Sequence, residues 1–221
     1  MARRRPAYDG RVTANSVPPV VLRNGVDIED PLGVLLGFAK ASWVFYVGDP
    51  SRPASFGEPE LRLANRAGAR ISAAQIAAIL QRRDAIEQAL RAIPPGASLA
   101  AAADGVPWRP IAQLFDAFAD ISGVGFSKMT KALYPKRPAL IPMLDSIVQK
   151  YLQDDDLGVK APFTERGLGL VRGYQRDLDR NQAAVRMVQQ RLASDGYELT
   201  EVRILDLLIL SVAARPDGRG A

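Results

Sequence analysis

Residues 118–151 read FADISGVGFSKMTKALYPKRPALIPMLDSIVQKY. A helical run through Phe118 stops at Ile121-Ser122-Gly123-Val124-Gly125, and a second helix starts near Phe126. Two glycines around one aliphatic residue let the backbone turn with positive φ while Val124 packs inward between the flanking helices. The amides of the turn then face outward at a helix N-terminus, where unpaired N–H groups and the helix dipole form a natural phosphate site. Lys128 and Lys131 follow on that helix, so the candidate DNA-phosphate contacts are Gly123, Val124, Gly125, Ser127, Lys128 and Lys131. A purely structural helix–helix turn carries the same signature, and both readings stand at this point.

Working outward, the chain reads as helices almost throughout, which makes the expected fold mainly α, a compact helical domain with few or no strands. Asp30 followed by Pro31 is an N-cap with proline at N1, opening an apolar helix through Leu35, Phe38 and Trp43. The stretch GDPSRPASFGEPE reads as a loop, with a short strand expected at Glu60–Ala64. Ser72 and Gln75 form a capping box, with Ile71 and Ile76 in the staple positions, predicting one helix from Ala73 to Ile93 that Pro94-Pro95-Gly96 ends. Pro110 opens another helix, Thr164–Ala193 is one long or broken helix, and Thr200 caps a last one over Glu201–Ala214. The expected organisation is a basic, partly flexible arm over 1–24, one helical domain over 25–214 with the hairpin and aspartate region at 110–152, and a flexible tail over 215–221.

Composition narrows the chemistry. The 221 residues include no cysteine and no histidine, which excludes disulfides, thiol nucleophiles, imidazole acid–base pairs and Cys or His metal centres, so no iron–sulfur cluster and no metal or other cofactor is expected. Basic residues number 29 against 24 acidic ones, and the net charge of +5 favours an anionic partner. Residues 121–144 hold Lys128, Lys131, Lys136 and Arg137 with no acid, a pattern of either a solvated face or a phosphate-facing one. Asp154-Asp155-Asp156 reads as a solvated run rather than a metal site, and Gly167, Gly169 and Gly173 lack the preceding strand of a dinucleotide fingerprint. No apolar run is long enough for a bilayer and MARRRPAYDG leads into no apolar segment, so no membrane association and a cytoplasmic location are expected.

The stretch I-S-G-V-G, the helix through Leu133, RPALIPML and then Asp145 before SIV resembles the helix-hairpin-helix motif of the DNA glycosylase superfamily that includes the endonuclease III and adenine mismatch enzymes. There, L-P-G-V-G precedes a helix, a proline loop and a catalytic aspartate; Asp145 follows Gly123 by twenty-two positions, as the superfamily spacing implies. The resemblance implies double-stranded DNA as partner and Asp145 as the carboxylate that stabilises an oxocarbenium-like sugar. The Schiff-base lysine of bifunctional members falls on Ser127, so the implied activity is a monofunctional N-glycosylase without lyase chemistry. A flipped base needs aromatic walls, for which Trp43, Phe45, Tyr46 and Trp108 are the candidates. The remainder of the chain resembles an uncharacterised bacterial family. The alternatives are a non-catalytic DNA-binding module using the same hairpin, and a helical interaction protein whose GVG turn is structural. Asp145 is equally a sound helix N-cap.

Overall fold

Asp30 opens the first helix as its sequence predicts: Oδ1 accepts the Gly33 amide at 2.9 Å and Pro31 occupies N1 of α1, Pro31–Lys40. The computed structural model describes residues 17–23, 25–41 and 51–213. Trp43, Phe45 and Tyr46, proposed for a base pocket, lie outside the described residues, as does the end of the helix expected through Trp43. Ahead of α1, β1 (Val20–Val21) pairs antiparallel with β2 (Asp27–Ile28), Val20 opposite Ile28. Val20, Leu22 and Ile28 are buried. Arg23 fastens this hairpin to the body: its Nε donates to Asp177 Oδ2 at 2.8 Å, its Nη2 to the Gly173 carbonyl at 2.7 Å, and its Nη1 pairs with Asp155.

The expected mainly α class holds, since ten α-helices and this two-stranded ribbon make up the regular structure among the described residues, apart from three single 3-10 turns. Two expectations of secondary structure fail. Glu60–Ala64 is not a strand but part of α2, Glu58–Arg66, where Pro59 lies in the first turn and Glu60 Oε2 accepts the Gly57 amide at 2.8 Å. Leu61 and Ala64 are one helical turn apart on the buried side. The single helix expected over 73–93 is two: α3, Ala73–Leu80, and α4, Arg83–Ala92. Residues 81–85, QRRDA, are all exposed, so no apolar side chain holds that turn against the core, and the helix breaks there. The capping box itself is present, with Gln75 N to Ser72 Oγ at 3.3 Å and Ser72 N to Gln75 Oε1 at 3.1 Å.

The remaining helices are α5 (Trp108–Asp116), α6 (Phe126–Leu133), α7 (Ser146–Tyr151), α8 (Phe163–Arg180), α9 (Gln182–Ser194) and α10 (Glu201–Ala213). The break allowed for in 164–193 falls at Asn181, whose side chain bonds both Val21 backbone groups, the amide at 2.8 Å and the carbonyl at 2.9 Å. α5 lies between α4 and α8, α6 rests on α2, and α10 packs on α1, α7, α8 and α9. Glycine lets α8 come close to its neighbours. A Cβ on Gly167 would sit 2.8 Å from the Phe115 ring of α5, and one on Gly173 would strike the Asp155 carboxylate. These glycines serve helix packing, and Asp155 and Asp156 are not the solvated run expected: Asp155 pairs with Arg23 and Arg176, and Asp156 with Arg166 at 2.8 Å.

Candidate nucleic-acid interface

The hairpin forms where the sequence places it. α5 ends at Asp116, the chain bends through 117–125, and α6 starts at Phe126. Gly123 takes φ +71°, in the left-handed region that glycine favours, and Val124 is buried, its amide donating to the Ile121 carbonyl at 3.0 Å. Gly125 is the N-cap in extended backbone, so its own conformation does not require glycine; a Cβ there would meet nothing within 4 Å. What glycine supplies at 125 is an uncovered approach. Ser122, Gly123 and Gly125 are exposed, and the first amides of α6, through Ser127, point off the helix end as every helix N-terminus requires. Beneath, Phe126 stacks on Phe163 of α8 with centroids 4.5 Å apart, and Arg166 lies 5.5 Å over the Phe126 ring.

Lys128 is fixed over this turn. Its Nζ donates to the Gly123 carbonyl at 2.9 Å and to Gln75 Oε1 at 2.8 Å, while Gln75 Nε2 donates to the Ser122 carbonyl at 3.3 Å. An ammonium has three protons, of which these contacts use two, one on the turn and one on Gln75. One carbonyl of the bend, that of Gly123, is thus covered by a cation, which raises the positive field at the turn. Gln75 is a residue of this turn that the sequence assigned only to a helix cap. Its capping-box role was legible; its reach across 47 positions to Ser122 was not. Lys131 lies one turn further along α6, half-buried.

The other two cations of the acid-free stretch are structural. Lys136 pairs with Glu60 of α2 at 2.7 Å, its side chain 1% exposed. Arg137, also 1% exposed, spreads its guanidinium over four carbonyls: Leu90 at 2.5 Å and Ile93 at 2.7 Å at the end of α4, Pro53 at 2.8 Å and Lys136 at 2.7 Å. The C-terminal carbonyls of a helix are its negative pole, which is why a cation without a carboxylate contact is stable there.

Asp145 behaves as the cap its sequence allows. Its Oδ1 accepts the amides of Ile147 and Val148, both at 3.0 Å, and the side chain is half-buried. The Leu144 amide donates to Thr130 Oγ1 at 3.0 Å, which ties the approach to Asp145 to the C-terminal half of α6 rather than to the turn at its start. By helical rise, Gly125 and Thr130 are separated by roughly 8 Å. Trp108 lies at the opposite end of α5 from the turn, beneath Arg172 at 5.1 Å. Trp108 is thus at the far end of α5 from the hairpin, while the residue before Asp145 is bonded to the middle of α6. A cleft of about 540 Å³ opens elsewhere, between the start of α1 and the end of α9, lined by Val17, Asp30, Arg191 and Asp195 among others, and takes in none of the expected site residues. Among the described residues no cluster of three or more acidic side chains could hold a metal ion, and no helix is long and apolar enough to cross a membrane.

No curated protein and no solved structure matches this chain. The expected membership of the helix-hairpin-helix DNA glycosylases is corrected by the family comparison. The model that matches takes in the turn, Asp145 and the helices on both sides within one span, and it describes a different group. That span is residues 66–212, well over half of the sequence, and the chain accordingly belongs to the family of unknown function DUF6308.

Proposed function

We propose that this protein is a non-catalytic binder of double-stranded DNA that grips the phosphate backbone with the Ser122–Lys128 turn. The observation that carries the proposal is the combination at one exposed spot: uncovered amides at the start of α6, a glycine at 125 with open space above it, and the Lys128 ammonium held over the same bend. Neither the amides nor the ammonium reads sequence, so the expected binding is backbone-directed and largely indifferent to base order. The net charge of +5 acts in the same direction.

Fluorescence anisotropy with a short labelled duplex tests this. Affinity is expected to fall as salt rises, with a log–log slope of about −0.9 for each phosphate gripped. Gly125→Glu places a carboxylate over the amides at a position where any residue fits the backbone, and is expected to weaken binding by roughly tenfold or more. Absence of binding at low salt, or a Gly125→Glu variant that binds as well as the parent, overturns the proposal. Base excision would run instead through Asp145. Incubation with duplexes carrying damaged or mispaired bases is expected to release no free base, and release abolished by Asp145→Asn would make the protein a glycosylase.

A further inference from the structure

Asp206 of α10 is 4% exposed, deep in the seam where α10 meets α8 and the segment leading to Asp145. Its Oδ1 is 3.0 Å from the hydroxyl of Tyr174, itself fully buried on α8. The same hydroxyl is 2.7 Å from the Val202 carbonyl. A phenol carries one proton, and a carbonyl can only accept. The shorter contact therefore takes the phenolic proton, and the Tyr174–Asp206 contact is a hydrogen bond only if the carboxyl group supplies the second proton. The other oxygen, Oδ2, faces the Met143 amide at 3.4 Å.

We infer that Asp206 is a buried proton-binding site, occupied in the folded state, and that the bound proton latches α10 to α8 by donating from the carboxyl to the Tyr174 oxygen. Bonds that do not use this proton hold the same seam to the segment leading to Asp145. Met143 bonds Asp206 from one side and its sulfur contacts Arg203 Nη1 at 3.7 Å. The Pro138 carbonyl accepts from Thr200 Oγ1 at 2.9 Å, and the Leu144 amide reaches Thr130 Oγ1, which in turn donates to the Phe126 carbonyl at 2.8 Å at the base of the turn.

The charged and titratable groups around the site agree with a retained proton. Burial acts most strongly and, with the nearby Asp145 charge, pushes the carboxyl up to about 7, against the opposing influence of Arg203 and the Met143 amide. Tyr174 is also pushed up, by burial first and then by Asp206, with Tyr134 adding to it and Arg203 opposing. A folded state that keeps its proton where the unfolded chain has lost it binds more protons, so stability falls as pH rises from the ordinary carboxyl value toward about 7 and levels off above.

The experiment is carbon NMR of the full chain labelled at the aspartate carboxyls and tyrosine rings, titrated with pH, alongside urea unfolding of the parent and Asp206→Asn. Asparagine keeps both contacts, its NH2 donating to the Tyr174 oxygen and its carbonyl accepting from Met143. The Asp206 carboxyl is expected to titrate near neutrality, with the Tyr174 ring signals following the same curve. The parent's unfolding constant is expected to gain roughly tenfold per pH unit across that window relative to Asp206→Asn. A carboxyl that titrates in the ordinary range of aspartate overturns the site, and does so on the parent alone should the variant fail to fold. A near-neutral titration with static Tyr174 ring signals overturns the latch. No DNA enters either measurement, so the inference stands or falls apart from the proposed function.

Discussion

Lys128 and Arg137 lie nine positions apart in one acid-free stretch, and the fold uses them in opposite ways. Lys128 is half-buried at a bend, with one of its protons on the turn, one on Gln75 and its charge left in the field of the surface. Arg137 is sealed in the interior, where its charge meets the carbonyl end of α4 and no solvent. The difference teaches that a run of cations without local acids says little about exposure. The compensating groups arrive from 44 and 84 positions away.

The largest way to break this comparison is Arg137→Ala. It strips a donor from several buried carbonyls at once and leaves a void, so the expected loss is about 3–5 kcal/mol in urea unfolding. Binding per folded molecule is expected to be unchanged. A loss under about 1 kcal/mol would mean that the guanidinium is replaceable there. Next comes the paired test of the two lysines. Lys136→Met leaves Glu60 without its cation in a mostly buried place and is expected to cost about 2 kcal/mol, with DNA affinity intact. Lys128→Met is expected to do the reverse, changing stability by only about 1 kcal/mol while weakening the duplex complex and flattening its salt dependence.

Gly123→Ala sharpens the description of the bend. Its φ of +71° and the Gln75 nitrogen 2.5 Å from where a Cβ would stand predict a cost of about 1–2 kcal/mol, part of it recovered in a Gln75→Ala background. The smallest effect belongs to Asp156, whose hydrogen bond from Arg166, helped by the Gly158 amide, holds its carboxyl below the usual range. Its contribution is present above the ordinary carboxyl value and fades as pH falls through the lowered one, so Arg166→Gln is expected to remove a shallow acid-side slope in thermal unfolding.

What the sequence made legible was local. Asp30 with Pro31, Ser72 with Gln75, and Thr200, whose Oγ1 accepts the Arg203 amide at 3.1 Å, cap the helices assigned to them because a cap spans only a few residues. The bend at Gly123 and the inward Val124 were legible for the same reason. The α2 cap was missed because Gly57 contributes no side chain; only Glu60, three residues on, marks it. The break near Arg82 was missed because its cause is an absence of core contact, which spacing alone blurs. The fate of Lys136, Arg137, Arg23 and Asp155 depends on partners brought together only by the finished fold. The family-like spacing from Gly123 to Asp145 misled because a glycine turn, a proline loop and an aspartate cap are individually common solutions to joining helices.

The central claim is that the turn amides take a phosphate. Titrating a short duplex into the nitrogen-15 labelled protein tests it most directly. The account predicts that the largest shifts fall on the amides of Gly125, Phe126, Ser127 and Lys128, and that they shrink as salt rises. Shifts confined to other helices, with these four amides unmoved at saturating duplex, would contradict it.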